Sequence, residues 1–246
     1  MGELVIESKR DSRTGIITHT VDVGDGKLEY RRYRAISAGL AWPGAGHGAH
    51  YLVLGEMSVN EKVTRFEGVE PPRGKLVVLC ERSVDSPFLI ELAEHLTDDC
   101  SRFGCDGVYG EIELSEDGSF RDDRANFFRD RLQNAKCSAS LQRAPYTAGS
   151  ATGPSQMEAL RLALSIVKLW LKEGKLELPE GSVALEQLRA ITKEDLHDPE
   201  AEPRLYAARA LGHVVSVFHK DDPYGLAGRF TPKRRHRVPR HTARPR

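Results

Sequence analysis

The hydrophobic period of this sequence changes once, near residue 85, and that change limits the folds the chain can adopt. Segments 4–8, 15–23 and 27–34 alternate apolar and polar residues, which is the period of half-buried β-strands. Shorter apolar segments at 35–42, 51–59 and 75–82 predict further strands. Beyond residue 85, apolar residues recur every three or four positions, as on one face of a helix. The sequence therefore predicts antiparallel strands followed by alternating helices and strands.

Turn and capping residues delimit these elements. Gly24-Asp25-Gly26 predicts a hairpin turn. Ser86 and Pro87 predict the start of the first helix, and Gly104 predicts its end. The remaining elements are predicted as helices at 121–135, 157–173, 183–191 and 204–219, with short strands at 106–112, 137–141 and 175–178.

This order of elements predicts an α/β fold with a mixed sheet flanked by helices. Ribonuclease H-like domains have the same order. We therefore expect three regions: an N-terminal β-hairpin extension at 1–34, a ribonuclease H-like domain at 35–222, and a basic, flexible C-terminal tail at 223–246.

The composition restricts where such a chain would work. No apolar run approaches the roughly 18 residues of a membrane span, and residues 1–10 lack the apolar core of a secretory signal. Cys80, Cys100, Cys105 and Cys137 form no CxxC pair, so neither a disulfide framework nor a zinc site is expected. We expect a protein of the host cytoplasm or of a virion, not a secreted or membrane protein.

The charge is zero overall but unevenly distributed. The chain has 36 basic and 36 acidic residues, and segment 229–246 holds eight of the basic ones and no acid. The rest of the chain is therefore acidic by eight charges. A basic tail is suited to phosphate contacts that are independent of base sequence; the alternatives are a solvated extension or a tail that folds back on its own acidic body. The predicted nucleic-acid-binding residues are Arg229, Lys233, Arg234, Arg235, Arg237, Arg240, Arg244 and Arg246.

Three segments carry a resemblance to a known family. A long amphipathic helix leads into Glu-Gly-Lys-Leu-Glu-Leu-Pro at 173–179, and the last helix opens with Tyr-Ala-Ala-Arg-Ala-Leu at 206–211. Together with the strand Ala-Gly-Leu-Ala-Trp at 38–42, this resembles the C-terminal nuclease domain of tailed-phage terminase large subunits over roughly residues 35–220. The resemblance implies clustered carboxylates that hold two Mg²⁺ or Mn²⁺ ions, which activate water and stabilise the charge on the phosphodiester.

The acidic residues of that family are only partly present. The first-strand acid falls on Ala41 and the last-helix acid on Tyr206, and only Glu111 is an acid where the resemblance implies one. The expectation is a degenerate site, with Glu111 as the catalytic and metal-binding residue if activity remains. Asp22 and Glu56 are further candidate catalytic acids, and other acids that could join the site are Glu81, Asp198, Glu200 and Glu202.

Two features outside the resemblance bear on binding. His47 and His50 lie in or beside a glycine-rich loop that would suit a metal or a phosphate, although incidental histidines in a flexible loop fit the same pattern. The glycines of that loop lack the Lys-Ser/Thr of a P-loop, so no nucleotide site is expected there.

Three functions remain open. The first is a phage or prophage terminase-nuclease-like protein that binds nucleic acid, DNA rather than RNA, in packaging or processing without cleaving it, with packaging or capsid proteins as further partners. The second is an active two-metal DNA endonuclease centred on Glu111. The third is a non-enzymatic structural or assembly protein of a virion.

Overall fold

The computed structural model describes residues 4–42, 49–58, 74–84, 89–115, 117–145, 156–195 and 205–220. Within these residues the chain forms one eight-stranded sheet and five helices. The strands are β1 (Leu4–Arg10), β2 (Ile17–Asp22), β3 (Leu28–Ala41), β4 (Ala49–Met57), β5 (Leu76–Val84), β6 (Gly107–Gly110), β7 (Ser140–Arg143) and β8 (Leu176–Glu177). The helices are α1 (Leu89–Phe103), α2 (Asp123–Asn134), α3 (Gln156–Lys172), α4 (Val183–Ala190) and α5 (Tyr206–Lys220).

The long strand β3 organises the sheet. Strands β1 to β5 pair in sequence order and antiparallel, while β6 pairs parallel to β3 and β7 parallel to β6. Because Tyr33 pairs with both β2 and β4, and residues 37–40 pair with both β4 and β6, strands β2 and β6 follow one another along the same edge of β3. The first half of β3 thus belongs with the N-terminal hairpins and the second half with the parallel strands.

Helices cover both faces of the sheet. On one face, α1 and α2 close a core that includes Ile36, Leu40, Leu96 and Phe128. On the other face, α5 lies against β3, β4 and β6, and α3 and α4 pack on α5. This second core includes Leu52 and Val214.

The close fit of α5 depends on one glycine. A Cβ atom at Gly39 would lie 2.0 Å from the backbone oxygen of Ala210. The helix backbone therefore rests directly on β3, which fixes the height of the α5 side chains above the sheet.

The structure confirms the fold class, a mixed sheet flanked by helices with an antiparallel N-terminal extension. The hairpin turn at 24–26 and the glycine that ends α1 are confirmed too, since Gly104 has a φ of +72°. The predicted helix start at Ser86 and the basic tail lie outside the described residues. No helix in the described part is long and apolar enough to cross a membrane.

One strand prediction is wrong. The sequence predicts two strands at 27–34 and 35–42, but these segments form the single strand β3. Its register against β4 shifts between Tyr33 and Ala35. A bulge of this kind reverses the alternation of buried and exposed residues without interrupting the strand. In the sequence, such a reversal looks like a break between two strands.

Candidate functional site

The ends of three strands meet under α5. Leu40 of β3 pairs with Gly110 of β6 in parallel, so Ala41 and Glu111 follow side by side at the same edge of the sheet. Ala41 also pairs with His50 at the start of β4. Gly39 faces α5, and Ala41, two residues further on, lies on the same face. The strand ends therefore bring Ala41, His50 and Glu111 together below the first half of α5.

Helix α5 places two basic side chains over Glu111. Arg209 and His213 are one helical turn apart and lie on the same face of α5. The Nε atom of Arg209 donates to Oε1 of Glu111 at 3.0 Å, and its Nη2 donates to Oε2. The Nε2 atom of His213 lies 3.4 Å from Oε1. Arginine thus holds both carboxylate oxygens in a bidentate pair.

This cluster is enclosed and keeps Glu111 ionised. The side chains are 19% exposed for Glu111, 10% for Arg209 and 9% for His213. Burial by itself raises the pKa of Glu111, but the contacts with His213 and Arg209 outweigh it and lower the pKa to about 2. The indole Nε1 of Trp42 donates to the backbone oxygen of Glu111 at 2.8 Å, which fixes the turn that carries the carboxylate.

A second polar cluster lies beside the first. His50 is fully buried, with Nδ1 2.9 Å from the Ser83 hydroxyl and Nε2 3.0 Å from Oε1 of Glu81. The backbone N–H of Ala184, in the first turn of α4, donates to the same Glu81 oxygen at 2.8 Å. Burial raises the pKa of Glu81, but the His50 and Ala184 hydrogen bonds reverse this and lower it below its usual range. Glu81 therefore joins β5 to α4 and His50.

The remaining predicted site residues lie in different places. Tyr206, where the resemblance implies an acid, has its ring 5.6 Å from that of His50. Glu56 is buried opposite Ala35, six residues along β4 from His50 and about 20 Å away. Asp22 is farther still, at the end of β2 opposite Leu28. The structure thus places neither Glu56 nor Asp22 near Glu111.

Several predicted residues lie outside the described part of the chain. They are His47, Asp198, Glu200, Glu202 and the eight basic residues of the tail, Arg229, Lys233, Arg234, Arg235, Arg237, Arg240, Arg244 and Arg246. Their roles stay predictions.

Sequence reasoning missed the pairing of Glu111 with Arg209 and His213. The available signal was the spacing of Arg209 and His213 on a helix whose intervening residues include the small Ala210 and Gly212. That pattern indicates a helix packed closely on a sheet with basic groups at one end. It does not identify the acid that those groups contact, because Glu111 and Arg209 are 98 residues apart in sequence.

The described residues do not fit a pair of Mg²⁺ or Mn²⁺ ions. Such ions need several oxygen ligands, and no group of three or more His, Cys, Asp or Glu side chains in the described residues is placed to hold a metal ion. At the strand ends described above, Glu111 has both of its oxygens bound by a guanidinium. Arg209 therefore neutralises the Glu111 carboxylate, which is not free to bind a metal ion.

Comparisons with known proteins find likeness only at the level of structure. No family model and no curated protein sequence matches the chain. A human cytomegalovirus terminase nuclease domain, Mn-soaked and inhibitor-bound, is 10% identical with a TM-score of 0.44, over 77% of this chain and 84% of that one. Thermus thermophilus RuvC is 15% identical with a TM-score of 0.35, over 75% and 96%. The same protein in complex with a Holliday junction substrate is 14% identical with a TM-score of 0.34, over 76% and 95%.

Proposed function

We propose that this chain is a terminase-nuclease-like protein of a phage or prophage that binds DNA during packaging or processing without cutting it. The observation that carries the proposal is the bidentate pair between Glu111 and Arg209. A cleavage site would need that carboxylate free for a metal, and it would need further acids beside it. At the two neighbouring positions the chain has Ala41 and Tyr206.

The same pair opposes metal binding energetically. A divalent cation at Glu111 would have to displace Arg209 and break both hydrogen bonds between the carboxylate and a guanidinium that is only 10% exposed. Breaking a buried ion pair by taking away one partner costs about 3–5 kcal/mol. A single carboxylate–metal contact at Glu111 offers little to offset that cost.

DNA binding itself is assigned to the tail. Its eight basic residues and no acid make it the most positively charged segment of the chain, and arginine binds phosphate in a bidentate manner. We propose packaging or capsid proteins as further partners, and the host cytoplasm or the virion as the location.

Cleavage is tested with supercoiled plasmid and Mn²⁺, using the full chain, Glu111→Ala, and Glu113→Ala as a matched control. Glu113 is an exposed acid two residues further on. We expect no nicking by any of the three proteins. Mn²⁺-dependent nicking that Glu113→Ala retains, and that Glu111→Ala abolishes while its circular dichroism spectrum stays that of the folded chain, would establish an active endonuclease and overturn the proposal.

Binding is tested by fluorescence anisotropy of a labelled DNA duplex at about 50 and about 200 mM salt, with an RNA duplex as competitor. If the tail makes about six to ten phosphate contacts, affinity falls on the order of 10³- to 10⁵-fold between these salt concentrations. Deleting residues 229–246 should remove most of the binding. A deletion variant that binds as tightly as the full chain contradicts the role of the tail, and preference for the RNA competitor contradicts the choice of DNA.

A further inference from the structure

We propose that a second copy of this chain docks on the open face of strands β1 to β3, forming a two-fold symmetric dimer. The open face is defined by Leu28, Tyr30 and Arg32 of β3, Thr18, Thr20 and Asp22 of β2, and Glu7 and Lys9 of β1. Its members are cross-strand partners in the register of the sheet, so their side chains lie on one side. This proposal is independent of the proposed function.

The opposite side of the same strands is already covered. Ile17, His19 and Val21 are buried there, and the His19 ring lies 2.8 Å from the backbone oxygen of Phe103 at the end of α1. The hydroxyl of Ser8 donates to the same oxygen at 3.4 Å. Since side chains alternate along a strand, the residues between these face away from α1.

The open face exposes an unusual amount of apolar surface. Tyr30 is 71% exposed and Leu28 49%, and they are two residues apart on β3. Ile6, at the register shift of β1 on the far side of β2, is 57% exposed. Three of the seven large hydrophobic residues exposed in the described part thus lie in strands β1 and β3 of this extension. An exposed apolar cluster with a polar rim is typical of a protein interface.

Charges on the open face are arranged in order along the strands. The row nearest the hairpin turn has Asp22 beside Leu28, the middle row has Glu7, Thr20 and Tyr30, and the far row has Lys9, Thr18 and Arg32. One end is therefore acidic, the other end basic, and the aromatic ring lies between them.

The two end rows are complementary to each other under a two-fold rotation. If two copies pack face to face about an axis that crosses the strands near Tyr30, the acidic end of each copy faces the basic end of the other. Asp22 then comes within reach of the basic row of the second copy, while the middle row meets its own copy at the axis, which brings the two tyrosines together and also the two Glu7 side chains. Closed two-fold interfaces require such self-complementarity, and face-to-face sheets pack about 10 Å apart.

Two other occupants fit less well. A nucleic acid would meet two acids, Asp22 and Glu7, beside the two bases Lys9 and Arg32, so the face offers phosphate no net attraction. Edge-to-edge pairing of β1 is opposed by the register shift between Val5 and Glu7, because a bulge disrupts the row of backbone groups that another strand would need. Charge order and apolar exposure together favour a second copy on the face.

The test is a charge exchange measured by sedimentation velocity of the full chain at tens of micromolar. We expect twice the monomer mass for the unchanged chain, and monomers for both Arg32→Glu and Asp22→Arg, since each variant sets like charges against each other. An equimolar mixture of the two variants should regain the dimer, because the introduced glutamate of one copy then faces the introduced arginine of the other. Recovery on mixing cannot arise from two misfolded proteins.

A second pair of variants separates the apolar contribution from a general effect of added charge. Tyr30→Glu should give a monomer, while Leu162→Glu, which alters a residue on α3 that is 47% exposed, should leave the dimer intact. A chain that is monomeric throughout, or a mixture that stays monomeric, overturns the proposal. If Tyr30→Glu loses DNA binding but keeps the same sedimentation mass as the unchanged chain, the proposal is also overturned, and the face is assigned to nucleic acid instead.

Discussion

Two enclosed carboxylates on opposite faces of the sheet are satisfied by different chemistry. Glu111, under α5, is bound by Arg209, and the Nε2 atom of His213 lies 3.4 Å from its Oε1. Asp99, on α1, accepts hydrogen bonds from the hydroxyl of Tyr51 at 2.6 Å and the thiol of Cys80 at 3.2 Å. It also accepts one from Arg82 at 3.2 Å, whose side chain is 40% exposed.

The neighbours of Asp99 include two donors that remain neutral at physiological pH. Burial and the adjacent Asp99 charge raise the pKa of Tyr51 far above its ordinary value, and the same causes raise the pKa of Cys80 to about 12. The charge of Asp99 is therefore met by these neutral groups and by two arginines that water also reaches, Arg82 at 3.2 Å and Arg102 at 3.9 Å, with side chains 40% and 47% exposed. The charge of Glu111 is met by an arginine that is almost fully enclosed. The difference predicts that the two centres respond differently when the acid or its charge is removed.

The largest expected effect is the loss of the Glu111 carboxylate. Glu111→Ala removes the carboxylate that binds the enclosed Arg209 guanidinium, and we expect it to lower the free energy of unfolding by about 3–5 kcal/mol, measured by urea denaturation. The double variant Glu111→Ala/Arg209→Met should recover a large part of this loss. Equal loss in the single and double variants would show that the buried arginine is not the cause.

Acid should weaken the Glu111 centre over a defined pH range. Its folded-state pKa of about 2 lies below the ordinary value of 4.5, so its contribution is fully present above about pH 4.5 and is lost as the pH falls toward 2. The contribution is about 3 kcal/mol. The stability difference between the unchanged chain and Glu111→Gln should shrink over this range, and a difference independent of pH would contradict the ion pair.

The close contact between α5 and β3 should have an effect of intermediate size on the free energy of unfolding. Gly39→Ala forces the helix away from β3, and we expect a loss of about 1–3 kcal/mol in urea denaturation. Gly212→Ala is the matched control on the same helix, where the added Cβ would lie 3.1 Å from Ala163 and the higher helix propensity of alanine offsets the contact. A larger loss at Gly212 than at Gly39 would contradict the close approach to the sheet.

The smallest expected effect belongs to Asp99. Asp99→Asn keeps an acceptor for Tyr51 and should cost about 1 kcal/mol. Removing the charge should also lower the pKa of Cys80 below about 12, although burial keeps it above that of a free thiol. The pH dependence of iodoacetamide labelling, with Cys80→Ser as the background, measures this. An unchanged labelling profile would show that Asp99 does not act on the thiol.

Local signals make much of the fold predictable. Alternating residues, the turn at 24–26 and the apolar stripes of the helices each report a structure formed within a few residues. The long strand β3 is the exception, because a bulge near Arg34 shifts the alternation without a breaking residue. The candidate site is harder to predict than the fold. The sequence shows that positions 41 and 206 hold no acid, but it does not show which residue pairs with Glu111.

The sequence by itself determined which side chains could serve as metal ligands at the site, since Ala41 and Tyr206 cannot supply a carboxylate in any fold. The order of the charges on the first hairpins needed the register of the strands as well, because alternation alone does not show which residues lie opposite one another and β1 has a register shift between Val5 and Glu7. Only the tertiary structure decided that Glu111 is neutralised by Arg209, since that pair joins the chain just after β6 to the last helix. Its formation depends on how closely α5 approaches the sheet at Gly39, a distance set by packing between segments far apart in the chain.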